Sequence, residues 1–240
     1  MTDGVSEGNQ IHPTAVVGPG VELGTDNTIA PYAVLLGPCV IGDRNWIGPH
    51  VSIGTPAQMR DGEHPRAWDV TAAGEGIVIG SDNVIREYVT IHQPTDHVTR
   101  VGSRCYLMSY AHVPHDAVLG DLVTLSNAAQ IGGHTIIGEG ANLGLGTMVH
   151  QRLAIGGGAM VGMGSVVTKS VPPFAVAYGS PARVAGANSV GLTRAGYDDA
   201  VVTRLATWYR DGTGAVADLD LPQTLQAAFA AHDAAIASLS

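Results

Sequence analysis

At 240 residues the chain is long enough to bury a substantial core, and with 45% apolar against 14% charged residues it is not a disordered polypeptide. Its formal net charge of −9, with eleven Arg and the single Lys169 as its basic groups, argues against a nucleic-acid binder, whose basic footprint would have to overcome that field. No apolar run approaches the roughly 18 residues of a membrane span, and the acidic start MTDGVSEGNQ lacks a signal-peptide core, so the expectation is a cytoplasmic protein.

From Ile11 the chain falls into six-residue units: IHPTAV, VGPGVE, LGTDNT, IAPYAV, LLGPCV, IGDRNW, IGPHVS and IGTPAQ. Each opens on Ile, Val or Leu. The phase breaks after Gln58, resumes as IGSDNV, IREYVT and IHQPTD over 79–96, skips 97–100, and runs unbroken from Val101 to Pro172. A helix would place its apolar residues three and four apart, so these hexads predict an all-β solenoid. The pattern is that of a left-handed parallel β-helix, three hexads to a triangular coil, with the aliphatic inward and the Gly that mostly follows it helping the corner to turn. Coils stack about 4.8 Å apart and pair only with their neighbours. Cys39 and Cys105 fit no metal or redox motif and read as buried thiols.

With three hexads to a coil, the units opening at 53, 91, 113, 131, 149 and 167 form one column. Both interruptions, at 59–78 and 97–100, leave from that edge, and a solenoid needs neither for its core. Residues 1–172 are thus assigned to the β-helix. The remainder, 173–240, begins with the extended, Pro-punctuated VPPFAVAYGSPARVAG. It then places Val201, Leu205, Trp208 and Tyr209, and later Leu221, Leu225, Phe229, His232 and Ile236, at helical spacing, which predicts a small C-terminal helical region.

The same column collects His92, His115 with Asp116, Gly133 with His134, and His150 with Gln151, while His112 closes the hexad before His115. One coil spacing separates His115 from His134, which predicts rings roughly 5 to 8 Å apart. A polar residue at a solenoid corner is unremarkable singly; five of the ten histidines on one edge beside both loops call for another account. An imidazole near neutral pKa, a carboxylate to set its tautomer and an unhindered glycine N–H for an oxyanion are the inventory of acyl transfer to a hydroxyl.

The segments IHPTAVVG, IREYVTIHQPT, AHVPHD, IGGH, VHQ, VPPFAVAYG and GLTRAGY resemble the acyl-carrier-protein:UDP-N-acetylglucosamine O-acyltransferases of lipid A synthesis, over nearly the whole chain. The resemblance implies His115 as the base that takes the proton of a sugar 3-hydroxyl, Asp116 as the acid beside it, and the Gly133 backbone as oxyanion donor. It implies His92, His112, His134, His150 and Gln151 around the sugar and diphosphate, Asn188 and Arg194 on the nucleotide, and Met163 as the residue that limits acyl length. It further implies a homotrimer with sites between prisms, an acyl carrier protein as donor, no cofactor and no metal. Two features depart from the family pattern. The insertion offers Arg60 and Asp61 without a clear register, and Ala195 follows Arg194 where the family carries a second Arg.

Three other readings fit some of these residues. An acyl- or acetyl-coenzyme A-dependent transferase acting on another sugar suits the YGSPARVAG segment; a carrier-protein donor would instead seek a basic patch, for which Arg152, Lys169 and Arg183 are candidates. A metal enzyme like the γ-carbonic anhydrases would use His92 and His97. A non-catalytic solenoid leaves the histidine column unexplained.

Overall fold

The computed structural model describes residues 8–60, 76–212 and 215–239. A repeat that opens on an aliphatic buries one large side chain per hexad: Ile29, Leu35, Ile41, Ile47 and Ile53 are all at most 1% exposed. Each such burial is worth about 1.5 to 3 kcal/mol. The last residue of one hexad and the first of the next form a short strand, as in Val34–Leu35 and Trp46–Ile47. Strands three hexads apart pair in parallel, so Leu35 faces Ile53, Ile53 faces Ile91, and Ile91 faces Val113. The result is a parallel β-solenoid whose three sheets, first, second and third, start at Gln10–Ile11, Val16–Val17 and Val21–Leu23.

Two features of the repeat differ from expectation. The left-handed turn falls on the fourth residue of the hexad, at Tyr32 (φ 61°), Tyr88 (63°), Asp116 (59°) and His134 (58°), rather than on the second-position glycine. That glycine serves close approach: a Cβ on Gly132 would lie 2.4 Å from the Gln151 nitrogen of the next coil. The fifth position, which looks irregular in the sequence, is a second inward row of small residues, including Ala33, Cys39, Val51, Ala111 and Ala117. There the side-chain oxygen of each buried Asn accepts the N–H of the residue stacked on it: Asn27 Oδ1 accepts from Asn45 N at 2.8 Å, Asn45 Oδ1 from Asn83 N at 2.9 Å, and Asn83 Oδ1 from Cys105 N at 2.7 Å, while Asn83 Nδ2 is left without a partner. Both cysteines are buried and free, as expected, and burial pushes their thiols up to about 12 for Cys39 and about 11 for Cys105. Between the first and second sheets the corner carries a ladder of stacked rings, Tyr32, His50, Tyr88 and Tyr110, with centroids 5.1, 5.0 and 4.9 Å apart.

Both interruptions end earlier than the hexad count suggests, because Ile77–Ile79 and Thr99–Val101 are already paired strands of the third sheet. Most of the longer one, with Asp61, lies outside the described residues. The repeat stops at Pro172, but the sheet does not: Ala175–Gly179 continues the first sheet in parallel and then turns back as Ala182–Ala187. Among the described residues three α-helices follow, with a short 3-10 turn at Val216–Asp218. The short α1 (Ser189–Arg194) has no counterpart in the sequence expectations; α2 (Asp199–Asp211) starts at the Asp198 cap and ends at left-handed Gly212; α3 is Gln223–Ser238. Leu192, Val201, Leu205, Leu221, Leu225 and Phe229 form their common core, whereas Ile236 is 40% exposed.

Candidate active site

Thr90–His92, His112–Val113, Gln130–Ile131 and Met148–Val149 are neighbouring strands of the second sheet, so the corner residues after each stack along one edge. At the centre, the Nδ1 of His115 lies 2.6 Å from the Oδ2 of Asp116. The Asp116 side chain has no exposure and that of His115 keeps 20%. Burial would raise the Asp116 pKa, but the Thr95 hydroxyl, the His97 N–H, His115 and the Asp96 N–H outweigh it and hold the carboxyl well below the usual range. An ionised Asp116 fixes the proton of neutral His115 on Nδ1. Nε2 is then the basic nitrogen.

Gly133 lies directly beneath the ring. A Cβ there would come within 2.5 Å of His115 Cε1 and 2.7 Å of Nε2. Among the described residues the Gly133 N–H meets no acceptor, as suits a third hexad position that elsewhere holds Pro31 and Pro49. His134 completes the group, its ring centroid 5.2 Å from that of His115 and its Nε2 3.5 Å from Asp116 Oδ2. Burial lowers its pKa, with the Asp116 charge acting in the opposite direction. Below them, His112 Nδ1 is 2.7 Å from Thr90 Oγ1, and His92 packs edge-on against His112 at 4.7 Å. His92 is 6% exposed, and burial first, then His112 and His115, takes its imidazole down to about 4. It stays neutral at physiological pH.

His115, Asp116 and His134 could also offer a metal ion ligand atoms within 4.8 Å of one another. The carboxylate argues against that use. Its Oδ1 already accepts the N–H groups of Thr95, Asp96 and His97, and its Oδ2 the Thr95 hydroxyl and His115, so a cation would have to displace bonded donors. His92 and His97 join no metal-ligating group among the described residues.

His150 and Gln151 stand exposed on the same edge. Three other candidates do not join it within this chain. Met163, 73% exposed, sits at the corner between the first and second sheets. Asn188 caps α1, its Oδ1 accepting from Gly191 N at 3.0 Å and its Nδ2 donating to Gly158 O at 2.9 Å, and exposed Arg194 ends that helix. Sequence reasoning missed Thr95 and Thr99, which contact Asp116; their one visible signal is a hydroxyl on either side of a break in phase. A cavity of about 480 Å³ lies elsewhere, between α3 and the third sheet, against Ile136, Ala154, Ala228 and His232.

A hexapeptide solenoid with a His–Asp pair over a bare glycine amide defines a transferase of the acyl-transfer class. The family model described as UDP N-acetylglucosamine O-acyltransferase, domain 2, matches residues 171–235. The chain is 41% identical over 226 residues to the acyl-carrier-protein:UDP-N-acetylglucosamine O-acyltransferase of Syntrophobacter fumaroxidans, covering 84% of this chain and 83% of that one. It is 43% identical over 201 residues to the enzyme of the same name from Saccharophagus degradans, covering 82% and 74%. Among solved structures, the UDP-N-acetylglucosamine acyltransferase of Campylobacter jejuni superposes with a TM-score of 0.73 at 27% identity over 87% of this chain and 85% of that one. The acyltransferase of Bacteroides fragilis gives 0.73 at 26% over 94% and 95%. The chain belongs to the acyl-carrier-protein:UDP-N-acetylglucosamine O-acyltransferase family.

Proposed function

We propose that this protein transfers an acyl group from the thioester of an acyl carrier protein to the 3-hydroxyl of UDP-N-acetylglucosamine, with His115 as general base. The observation that carries the reading is the 2.6 Å His115–Asp116 bond above Gly133, in a chain 41% identical to an enzyme named for that reaction. Nε2 of His115 takes the proton of the sugar hydroxyl as its oxygen attacks the thioester carbonyl, and Asp116 stabilises the imidazolium that forms. The carbonyl oxygen, now an oxyanion, accepts the Gly133 N–H. Collapse of the tetrahedral intermediate expels the thiolate, which recovers the proton from His115. A positioned oxyanion donor of this kind is worth about 10² to 10³ in rate.

His92, His112, His134, His150 and Gln151 would line the sugar and diphosphate. Met163 belongs to another corner of the prism, and Asn188 and Arg194 to α1 beyond it, so their roles in acyl length and nucleotide binding require a neighbouring copy to bring them to the histidine edge. A homotrimer with its sites between prisms meets that requirement. Exposed Arg152 and Lys169 on the histidine edge suit an acidic carrier protein, and exposed Arg183 extends the basic surface from the hairpin. The proposed location is the cytoplasm. No helix among the described residues is long and apolar enough to cross a membrane. The test is a mass spectrum of products after incubation with UDP-N-acetylglucosamine and a panel of acyl groups on carrier protein and on coenzyme A. An O-acylated nucleotide sugar formed from carrier protein supports the reading. Product from coenzyme A alone overturns the donor, and no acylated sugar overturns the activity.

A further inference from the structure

In regular coils the left-handed fourth residue of a hexad donates its N–H to the carbonyl of the third residue one coil earlier. Leu122 bonds Ser103, Ala128 bonds Ser109, His134 bonds His115, and Arg152 bonds Gly133 in this way. Tyr32 and Asp116 both depart from the rule; the Tyr32 N–H donates to Thr14 Oγ1 at 3.1 Å. For Asp116 the corresponding carbonyl belongs to Gln93, yet the Asp116 N–H donates to Thr99 Oγ1 at 2.9 Å. Thr99 lies within the four residues, 97–100, that the repeat skips, where the next strand begins. At the start of the break, the N–H groups of Thr95, Asp96 and His97 turn onto Asp116 Oδ1 at 3.0, 2.9 and 2.8 Å. The Thr95 hydroxyl donates at 2.6 Å to Oδ2, the oxygen that also holds His115.

A skipped loop needs acceptors for its freed N–H groups, and any nearby carboxylate would serve. That accounts for the three bonds to Oδ1. It does not account for the hydroxyl of an exposed threonine aimed at the other oxygen. Resting on the activity proposed above, we infer that the interruption is a seat for the Asp116 carboxylate. In it Thr95 is a positioning residue that fixes Oδ2 in line with His115 Nδ1, and Thr99 anchors the backbone of the pair. Without the Thr95 hydroxyl, Oδ2 keeps only His115 and the 3.5 Å contact with His134 Nε2, and the carboxylate pivots about its Oδ1 bonds, so the base loses its aim while the sugar site keeps its shape.

The test compares Thr95→Val, Thr95→Ser and Thr99→Val with wild type and His115→Ala in the intact protein. Thr95→Val should lower kcat by about 10-fold or more, within the range a misplaced acid–base group costs, with KM for the nucleotide sugar within about twofold and Tm unchanged. Thr95→Ser restores the hydroxyl and should recover kcat. Thr95→Val retaining kcat within about twofold of wild type overturns the inference, as does Thr95→Ser failing alongside it. If Thr95→Val does not fold, Thr99→Val decides in its place by the same kcat criterion. An arm that needs no turnover follows amide exchange in Asp116→Ala, a residue the same hexad position accepts at Ala128, at another corner, with φ 57°. The amides of 95–97 should exchange about 10-fold faster or more, with those of Val118 and Leu119 unaffected; unchanged exchange at 95–97 overturns the seat. Absence of product in wild type would count against the proposed activity, and the exchange result would still judge the seat.

Discussion

Gly133→Ala separates the catalytic geometry from the stability of the solenoid. The new Cβ would lie 2.5 Å from His115 Cε1, 2.7 Å from Nε2 and 3.2 Å from Nδ1. Carbon contacts settle near 3.5 to 4.0 Å, so the ring or the peptide must retreat by about 1 Å. If the ring moves, the 2.6 Å bond to Asp116 stretches to roughly 3.6 Å, which is no longer a hydrogen bond. If the peptide moves, the oxyanion donor leaves its place. Either displacement of about 1 Å costs on the order of 10² in rate, equivalent to about 2.7 kcal/mol of barrier. Stability should fall less, since a lost bond to the charged Asp116, worth about 1.5 to 3 kcal/mol, is partly offset. Gly133 is outside the left-handed region, so its backbone accepts Ala, and Gly→Ala at a compatible site removes unfolded-state entropy worth about 0.4 to 1 kcal/mol. The assay is steady-state acyl transfer to UDP-N-acetylglucosamine with a melting curve on the same preparation. A kcat within threefold of wild type would refute the claim that His115 works from directly above this glycine.

His115→Ala should lower kcat by about 10² to 10⁴ and leave Tm within about 4 °C, because a corner side chain adds little to the core; retention of a tenth of the wild-type kcat removes it as the base. Met163→Gly should shift the ratio of kcat/KM across an acyl series toward longer donors, each readmitted methylene gaining about 0.8 kcal/mol of burial, whereas an unchanged ratio places the limit on another residue. His92 makes stability depend on pH: burial lowers its pKa from 6.5 to about 4, so its contribution is whole above 6.5 and is lost as pH falls toward 4, where the unfolded chain has already taken up the proton. That loss amounts to roughly 3 kcal/mol. Melting curves between pH 7 and 4 should therefore fall more steeply for wild type than for His92→Asn, and parallel curves would show that the imidazole titrates normally.

The solenoid was legible because its period is one-dimensional. An aliphatic every sixth residue, in three-hexad coils, places Ile53, Ile91 and Val113 side by side by counting alone, and the same count assembles His92, His115, His134 and His150 on one edge. Family membership followed from local motifs around those histidines. The rest required three dimensions. Which hexad position turns left-handed, and that Gly132 is small for the sake of Gln151 in the next coil, are set by contacts between coils rather than within a unit. The fifth-position asparagines find acceptors and donors only by stacking, as Asn45 N–H bonds Asn27 Oδ1 and Asn83 N–H bonds Asn45 Oδ1. That Asn188 pins α1 to Gly158 depends on where a non-repeating segment comes to rest. The enclosure of Asp116 by Thr95, Asp96, His97 and Thr99 was hidden for the same reason: hydrogen bonds across about 20 residues leave no period to count, so only the folded chain brings the break in the repeat to the carboxylate it surrounds.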